Sequence, residues 1–149
     1  MKYLSIFCLV ISCHYLHSQS TIGLNGTYLG AYGLQHEISV ETQFSKNIIL
    51  GIKAGTNFNK YSTYKMGFRY KVAMGDKSSL QFGFDVGHLQ NKHQIKEAQI
   101  SFRTLEILAG YRISISNKPS VIAEIGIMNR EAPSEPLPVL FRIGLNYRI

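Results

Sequence analysis

The 149-residue chain reads as an all-β protein: an eight-stranded antiparallel up-and-down transmembrane β-barrel behind a cleaved N-terminal signal peptide. Three observations carry this reading. Apolar and polar residues alternate with a period of two through most of the chain, the mark of strands with one apolar face. In the clear strands every charged side chain falls on the parity opposite the apolar residues. The connections alternate short and long, as in a barrel with turns at one end and loops at the other.

The first segment has the form of a targeting signal. Lys2 supplies a positive start, Leu4 to Leu16 an apolar stretch, and Ser18, Gln19 and Ser20 a small, polar exit. The stretch is too short for a transmembrane helix, which needs about 20 apolar residues. The expected organisation is therefore a signal peptide over residues 1–19, cleaved near Ser18–Ser20, and a barrel over residues 20–149. Both cysteines, Cys8 and Cys13, lie in that signal. The remainder offers no disulfide, thiolate nucleophile or cysteine metal site. Val10-Ile11-Ser12-Cys13 is similar to a lipobox, which would make Cys13 a lipidated terminus, although only twelve residues precede it.

The first strand expected is Ile22–Tyr32, where glycines interrupt both faces. Next, Leu34–Ser45 sets Leu34, His36, Ile38, Val40 and Phe44 against Gln35, Glu37, Ser39, Glu41 and Gln43. Ile48–Phe58 sets Ile48, Leu50, Ile52 and Ala54 against Gly51, Lys53, Gly55 and Asn57. Tyr64–Met74 sets Tyr64, Met66, Phe68, Tyr70 and Val72 against Lys65, Gly67, Arg69 and Lys71.

Leu80–His88 follows, with Leu80, Phe82, Phe84 and Val86 against Gln81, Gly83, Asp85 and Gly87. Leu105–Ile115 opposes Leu105, Ile107, Ala109, Tyr111 and Ile113 to Glu106, Leu108, Gly110, Arg112 and Ser114. Val121–Met128 opposes Val121, Ala123, Ile125 and Ile127 to Ile122, Glu124, Gly126 and Met128. The last strand opposes Val139, Phe141, Ile143, Leu145, Tyr147 and Ile149 to Leu140, Arg142, Gly144, Asn146 and Arg148. Most of these strands have the length, about 9–11 residues, that a tilted strand needs to cross a bilayer.

The connections fix the parity of the barrel. Short links at Ser45–Asn47, Gly75–Ser79 and Ser116–Ser120 alternate with longer ones around Asn59–Thr63, Gln90–Gln99 and Asn129–Pro138. Outer-membrane barrels have short periplasmic turns and longer outer loops. Eight strands with both termini inside fit this order.

Alternation leaves open whether the apolar face points inward, as in a soluble lipocalin-like barrel, or outward to lipid. The charges decide it. Glu37, Glu41, Lys53, Lys65, Arg69, Lys71, Asp85, Glu106, Arg112, Glu124, Arg142 and Arg148 all share the polar parity. A charge on a lipid face costs about 2–4 kcal/mol at the midplane, whereas a soluble exterior tolerates leakage to either parity. The same parity collects the strand glycines, among them Gly51, Gly67, Gly83, Gly110, Gly126 and Gly144. A narrow lumen needs small residues beside long charged ones, because eight strands enclose little more than side-chain volume.

The carboxy-terminal run Phe141-Arg142-Ile143-Gly144-Leu145-Asn146-Tyr147-Arg148-Ile149 resembles the terminal assembly signal of outer-membrane barrels, with Phe141, Ile143, Leu145, Tyr147 and Ile149 as its alternate apolar residues. That signal usually ends on an aromatic residue, where this chain has Ile149. Over the whole of residues 20–149 the pattern resembles the small OmpA/OmpX-like barrel class. The resemblance implies an outer-membrane location and a monomer. It also implies partners in outer-membrane lipid, lipopolysaccharide and the barrel-assembly machinery.

The twelve lumen charges read as a salt-bridge network that fills the barrel in place of an apolar core, since buried charges persist only when paired. A narrow ion path is the alternative use of the same residues. Asp85, His88 and His93, with Ser101 nearby, provide the groups of a Ser/His/acid triad of the kind carried by membrane-embedded lipid A acylases and deacylases. Asp85, however, falls deep in the lumen and His88 on the lipid-facing parity, so no catalysis is expected. No histidine spacing suggests a metal, and no cofactor is expected.

Function would then lie in the outer loops. Lys60, Lys92, Lys96, Arg103 and Arg130 are positioned to contact lipopolysaccharide phosphates, with a solvated charged loop as the plain alternative. Tyr28, Tyr32, Phe58, Tyr64 and Phe141 would form the outer aromatic girdle, and Phe44 and Tyr147 the inner one. Without the signal, 15 basic and 9 acidic side chains leave a net charge of +6. These charges are spread along strands with no basic run, which favours anionic lipid headgroups over nucleic acid. The expected role is structural or surface-interacting. A narrow channel, or a soluble or lipid-anchored barrel binding an apolar ligand, stands as the alternative.

Overall fold

The computed structural model describes residues 19–30, 33–57, 61–91, 101–130 and 138–149. They form eight strands: β1 (Gln19–Leu29), β2 (Leu34–Gln43), β3 (Ile48–Asn57), β4 (Tyr61–Ala73), β5 (Ser78–Asn91), β6 (Ser101–Ser114), β7 (Pro119–Arg130) and β8 (Val139–Arg148). Every neighbouring pair is antiparallel, and β8 closes onto β1 from Leu29↔Leu140 to Thr21↔Arg148. Closure matters physically, because a sheet edge in hydrocarbon would leave its backbone groups without hydrogen bonds. The expected up-and-down barrel of eight strands is the observed one, and the glycine-broken first segment is its first strand.

One end carries the short turns 44–47, 74–77 and 115–118 together with Gln19 and Ile149; here Ile149 N–H donates to Ser20 O. This is the turn end. The opposite loop end joins the strands through segments containing residues 31–32, 58–60, 92–100 and 131–137, which lie outside the described residues, as do residues 1–18 of the expected signal segment 1–19.

Strands run further toward the loop end than alternation suggested. Tyr61 and Ser62, expected in a connection, pair with Asn57 and Thr56. Gln90 pairs with Ser101, and Arg130 pairs with Thr104. Backbone pairing continues past the apolar belt because ladder hydrogen bonds do not depend on which face a side chain occupies.

The outer surface is apolar. Val40, Ile52, Met66, Val86 and Leu105 stand in one cross-strand row over five strands. Met66 is 70% exposed and Ile143 67%, values a water-soluble core face does not show. Tyr28, Tyr64 and Phe141 stand outward toward the loop end, and Phe44 and Tyr147 toward the turn end, where Tyr70 and Tyr111 join them. Tyr32 and Phe58 lie outside the described residues. An interior for an apolar ligand, as in the lipocalin-like alternative, is therefore not what this barrel encloses.

Candidate functional site

The lumen is layered along the barrel axis. The alternation that turns Ile and Val to the outside turns Glu37, Lys53, Lys65, Arg69, Asp85, Glu106, Glu124 and Arg142 to the inside, all of them buried. They come from seven of the eight strands, and strand tilt brings them to one level. Arg142 on β8 is the hub. Its Nε donates to Glu37 at 3.0 Å, its Nη1 to Asp85 at 3.0 Å and Glu124 at 2.7 Å, and its Nη2 to Glu106 at 2.8 Å.

The other three cations complete the set. Arg69 reaches Asp85 and Glu124, each at 2.7 Å. Lys65 bridges Glu37 and Glu106, and Lys53 contacts Asp85 at 3.0 Å. Thr27 on β1 donates to Glu37 at 2.7 Å and so brings the eighth strand into the network. Four carboxylates face four cations, so the layer is neutral as well as paired. Such a network is tolerable in low dielectric because each carboxylate oxygen has a cationic group within 3.0 Å.

Glycines on the same parity let this happen at close quarters. A Cβ on Gly83 would run into the Phe68 carbonyl oxygen and stand 2.9 Å from the Arg69 Cδ. Gly83 therefore lets β4 and β5 approach while Arg69 crosses the lumen beside it.

Toward the loop end the lumen changes character. Leu29, Leu89, Leu108, Met128 and Leu140 form a buried apolar cluster with Tyr61 packed against it. Four of these lie at or close to the loop-end termini of their strands, so they plug that end above the charges. Leu108, Met128 and Leu140 fall on the polar parity in the sequence, and their large apolar side chains on that parity are the sequence signal of this plug.

Toward the turn end the lumen opens into a cavity of about 230 Å³. Lys71, Arg112 and Arg148 line it, with Glu41 beneath them bound to Arg112 Nη2. Lys71 and Arg148 have no carboxylate partner among the described residues. The twelve charges expected to form one network thus divide: eight belong to the central layer, Glu41 and Arg112 form a separate pair, and Lys71 and Arg148 stand at the mouth. The division follows from position along the barrel axis, which parity alone does not encode.

The remaining candidates are placed as follows. Arg103 lies on β6 and not in a loop; its side chain is exposed on the outer face, in register with His88. Arg130 belongs to β7. Lys60, Lys92, Lys96 and His93 lie outside the described residues. His88 and Arg103 stand at the loop end of an outer-face groove of about 760 Å³ whose floor includes Val40, Ile52, Ala54 and Met66. Phe141, Ile143, Leu145, Tyr147 and Ile149 all project outward from the β8 segment. Asp85 is wholly engaged by Lys53, Arg69 and Arg142, while His88 points the opposite way.

Sequence comparison finds no matching protein-family model and no matching curated protein. Comparison of structures does find matches. The N-terminal β-barrel domain of Pseudomonas aeruginosa OprF superposes with a TM-score of 0.72 at 11% identity, over 88% of this chain and 97% of that one. The fold is that of the small outer-membrane β-barrels. The de novo designed transmembrane barrel TMB2.3 matches with a TM-score of 0.62 at 15% identity, covering 89% of this chain and 94% of the design. The Yersinia pestis outer membrane protein Ail matches at 0.56 and 11% identity, over 89% of this chain and all of that chain. At these identities the shared property is the barrel and its closure, which agrees with the OmpA/OmpX-like class expected from the sequence pattern.

Proposed function

We propose that the protein is a monomeric barrel of the bacterial outer membrane, exported by its N-terminal signal. In this reading it presents its loop end at the cell surface in a structural or surface-interaction role, without catalysis. The observation that carries the reading is the pairing of an apolar exterior with a charged interior whose central layer is neutral and ion-paired. That arrangement is stable in lipid and would be unstable as a water-soluble protein. Placing the short turns on the periplasmic side follows the general form of such barrels.

The outer-face groove ending at His88 and Arg103 supports contact with lipopolysaccharide. Its apolar floor suits an acyl chain, and Arg103 stands where a headgroup phosphate would lie. The outward apolar residues of β8 suit recognition by the barrel-assembly machinery. The lack of catalysis is supported by Asp85, whose carboxylate is held by three cations and faces away from His88. A conducting pore is the weaker reading, since the central layer and the apolar plug both block the lumen.

Heat-modifiable gel migration of the membrane fraction tests this reading. The unheated protein should migrate anomalously and resist carbonate extraction. Release by carbonate, with identical migration before and after heating, would overturn it.

A further inference from the structure

The lumen parity carries seven cations and five carboxylates, and the surplus is not evenly spread. The central layer balances four against four. The excess therefore belongs wholly to the turn-end cavity, where Lys71, Arg112 and Arg148 meet a single inward carboxylate, Glu41. The other charged lining residues do not alter this. Asp76 and Lys77 adjoin on one turn and offset each other, and Lys118 sits 5.6 Å over the Tyr147 ring, toward the outer face.

We propose that the turn-end mouth of the barrel is a binding site for a phosphate dianion, held between Lys71, Arg112 and Arg148. Three cations against one carboxylate leave a charge of +2 to be matched. A phosphate monoester or inorganic phosphate carries about −1.5 to −2 at neutral pH, whereas a carboxylate or phosphodiester supplies only −1. Guanidinium groups suit the geometry, because their planar forks engage two oxygens at once.

A second observation points to the same place. Arg112 gives Nη2 to Glu41, yet its Nε is shielded from solvent and has no hydrogen-bond partner among the described residues. A buried donor of this kind costs about 1–3 kcal/mol unless something accepts its hydrogen bond. Ser79 and Ser120 on the cavity floor add hydroxyl donors. The next inward-facing residues on β5 and β8 are Gln81 and Asn146, whose buried side-chain amides also have no hydrogen-bond partner among the described residues. The cavity is a blind cup: the neutral charge layer and the apolar plug close it behind, so an anion can enter and leave only from the turn side.

The test is a calorimetric titration of the full barrel, refolded in a nonionic maltoside detergent at low ionic strength, with inorganic phosphate. Saturable one-to-one binding is expected at pH 7.5, weakening several-fold at pH 5.5, where phosphate is a monoanion. No histidine lines the cavity, so the change arises in the ligand. Lys71→Gln and Arg148→Gln should each weaken binding about tenfold while leaving heat-modifiable migration intact. Dihexanoyl phosphatidylglycerol, a diester, should bind more weakly than phosphate. The proposal is overturned by an absence of saturable heat, by affinity unchanged in both variants, or by a diester that binds as tightly as phosphate. The pH comparison needs no variant and remains decisive if either substitution impairs folding.

Discussion

Arg142 Nη1 on β8 donates to Asp85 Oδ2 on β5 at 3.0 Å, joining two strands that face each other across the lumen and share no backbone hydrogen bond. Sheet pairing alone makes a tube that is stiff along each ladder and soft to flattening. A side-chain contact through the middle removes that softness, and Arg142 makes three such contacts, to Glu37, Asp85 and Glu106.

Arg142→Gln should therefore destabilise the barrel strongly. Removing the hub leaves buried carboxylates short of a partner, a class of change that costs about 3–5 kcal/mol. Equilibrium urea unfolding of the detergent-refolded protein, followed by circular dichroism, checks this. Arg148→Gln, at the exposed end of the same strand, should shift the transition by no more than about 0.5 kcal/mol.

The apolar plug makes an independent contribution. Met128→Ala and Leu140→Ala should each cost about 2–5 kcal/mol, the range for truncating a buried aliphatic side chain. Planar-bilayer recordings should stay silent in both variants, because the central charge layer still fills the lumen. Single-channel steps in either would contradict the layered arrangement.

Lipid-facing positions should respond by depth. Ile143→Arg, in the middle of β8, should lower stability by about 2–4 kcal/mol in phospholipid vesicles, while Tyr147→Arg near the turn end should cost about 0–1 kcal/mol. Equal effects at the two positions would mean that the apolar belt does not span β8 as placed here.

Two glycines should behave oppositely. Gly83→Val drives a branched side chain into the Phe68 carbonyl and the Arg69 stem, so the yield of the heat-modifiable form should fall sharply. At Gly26 the nearest atom to an added Cβ is Leu34 Cδ1 at 3.9 Å, so Gly26→Ala should stay within about 1 kcal/mol of the parent.

The strands and the side each residue faces were legible because the lipid belt enforces alternation, Arg103 at the loop end being the one outward charge placed on a described strand. No charge among Glu37 through Arg148 had to be moved between faces. The level of each residue along the axis was not legible. Arg142 and Glu37 are 105 positions apart, and only the stagger of eight tilted strands brings them to 3.0 Å. The separation of Lys71 and Arg148 from the central layer has the same origin. Arg103 and Arg130 were expected in loops because their flanks are polar, yet ladder pairing extends through both.

The central layer also bears on how this protein can reach its folded state. Seven strands supply its eight charges, and they are shared unevenly: the β3–β4 hairpin contributes Lys53, Lys65 and Arg69 but no carboxylate, the β5–β6 hairpin Asp85 and Glu106 but no cation, whereas β7–β8 carries Glu124 with Arg142. A sheet that held β3–β4 without β5–β6 would thus expose three unmatched cations to hydrocarbon. Those two hairpins must come together, or keep their inner faces wet, before lipid seals either of them, which couples their insertion to the rolling-up of the sheet.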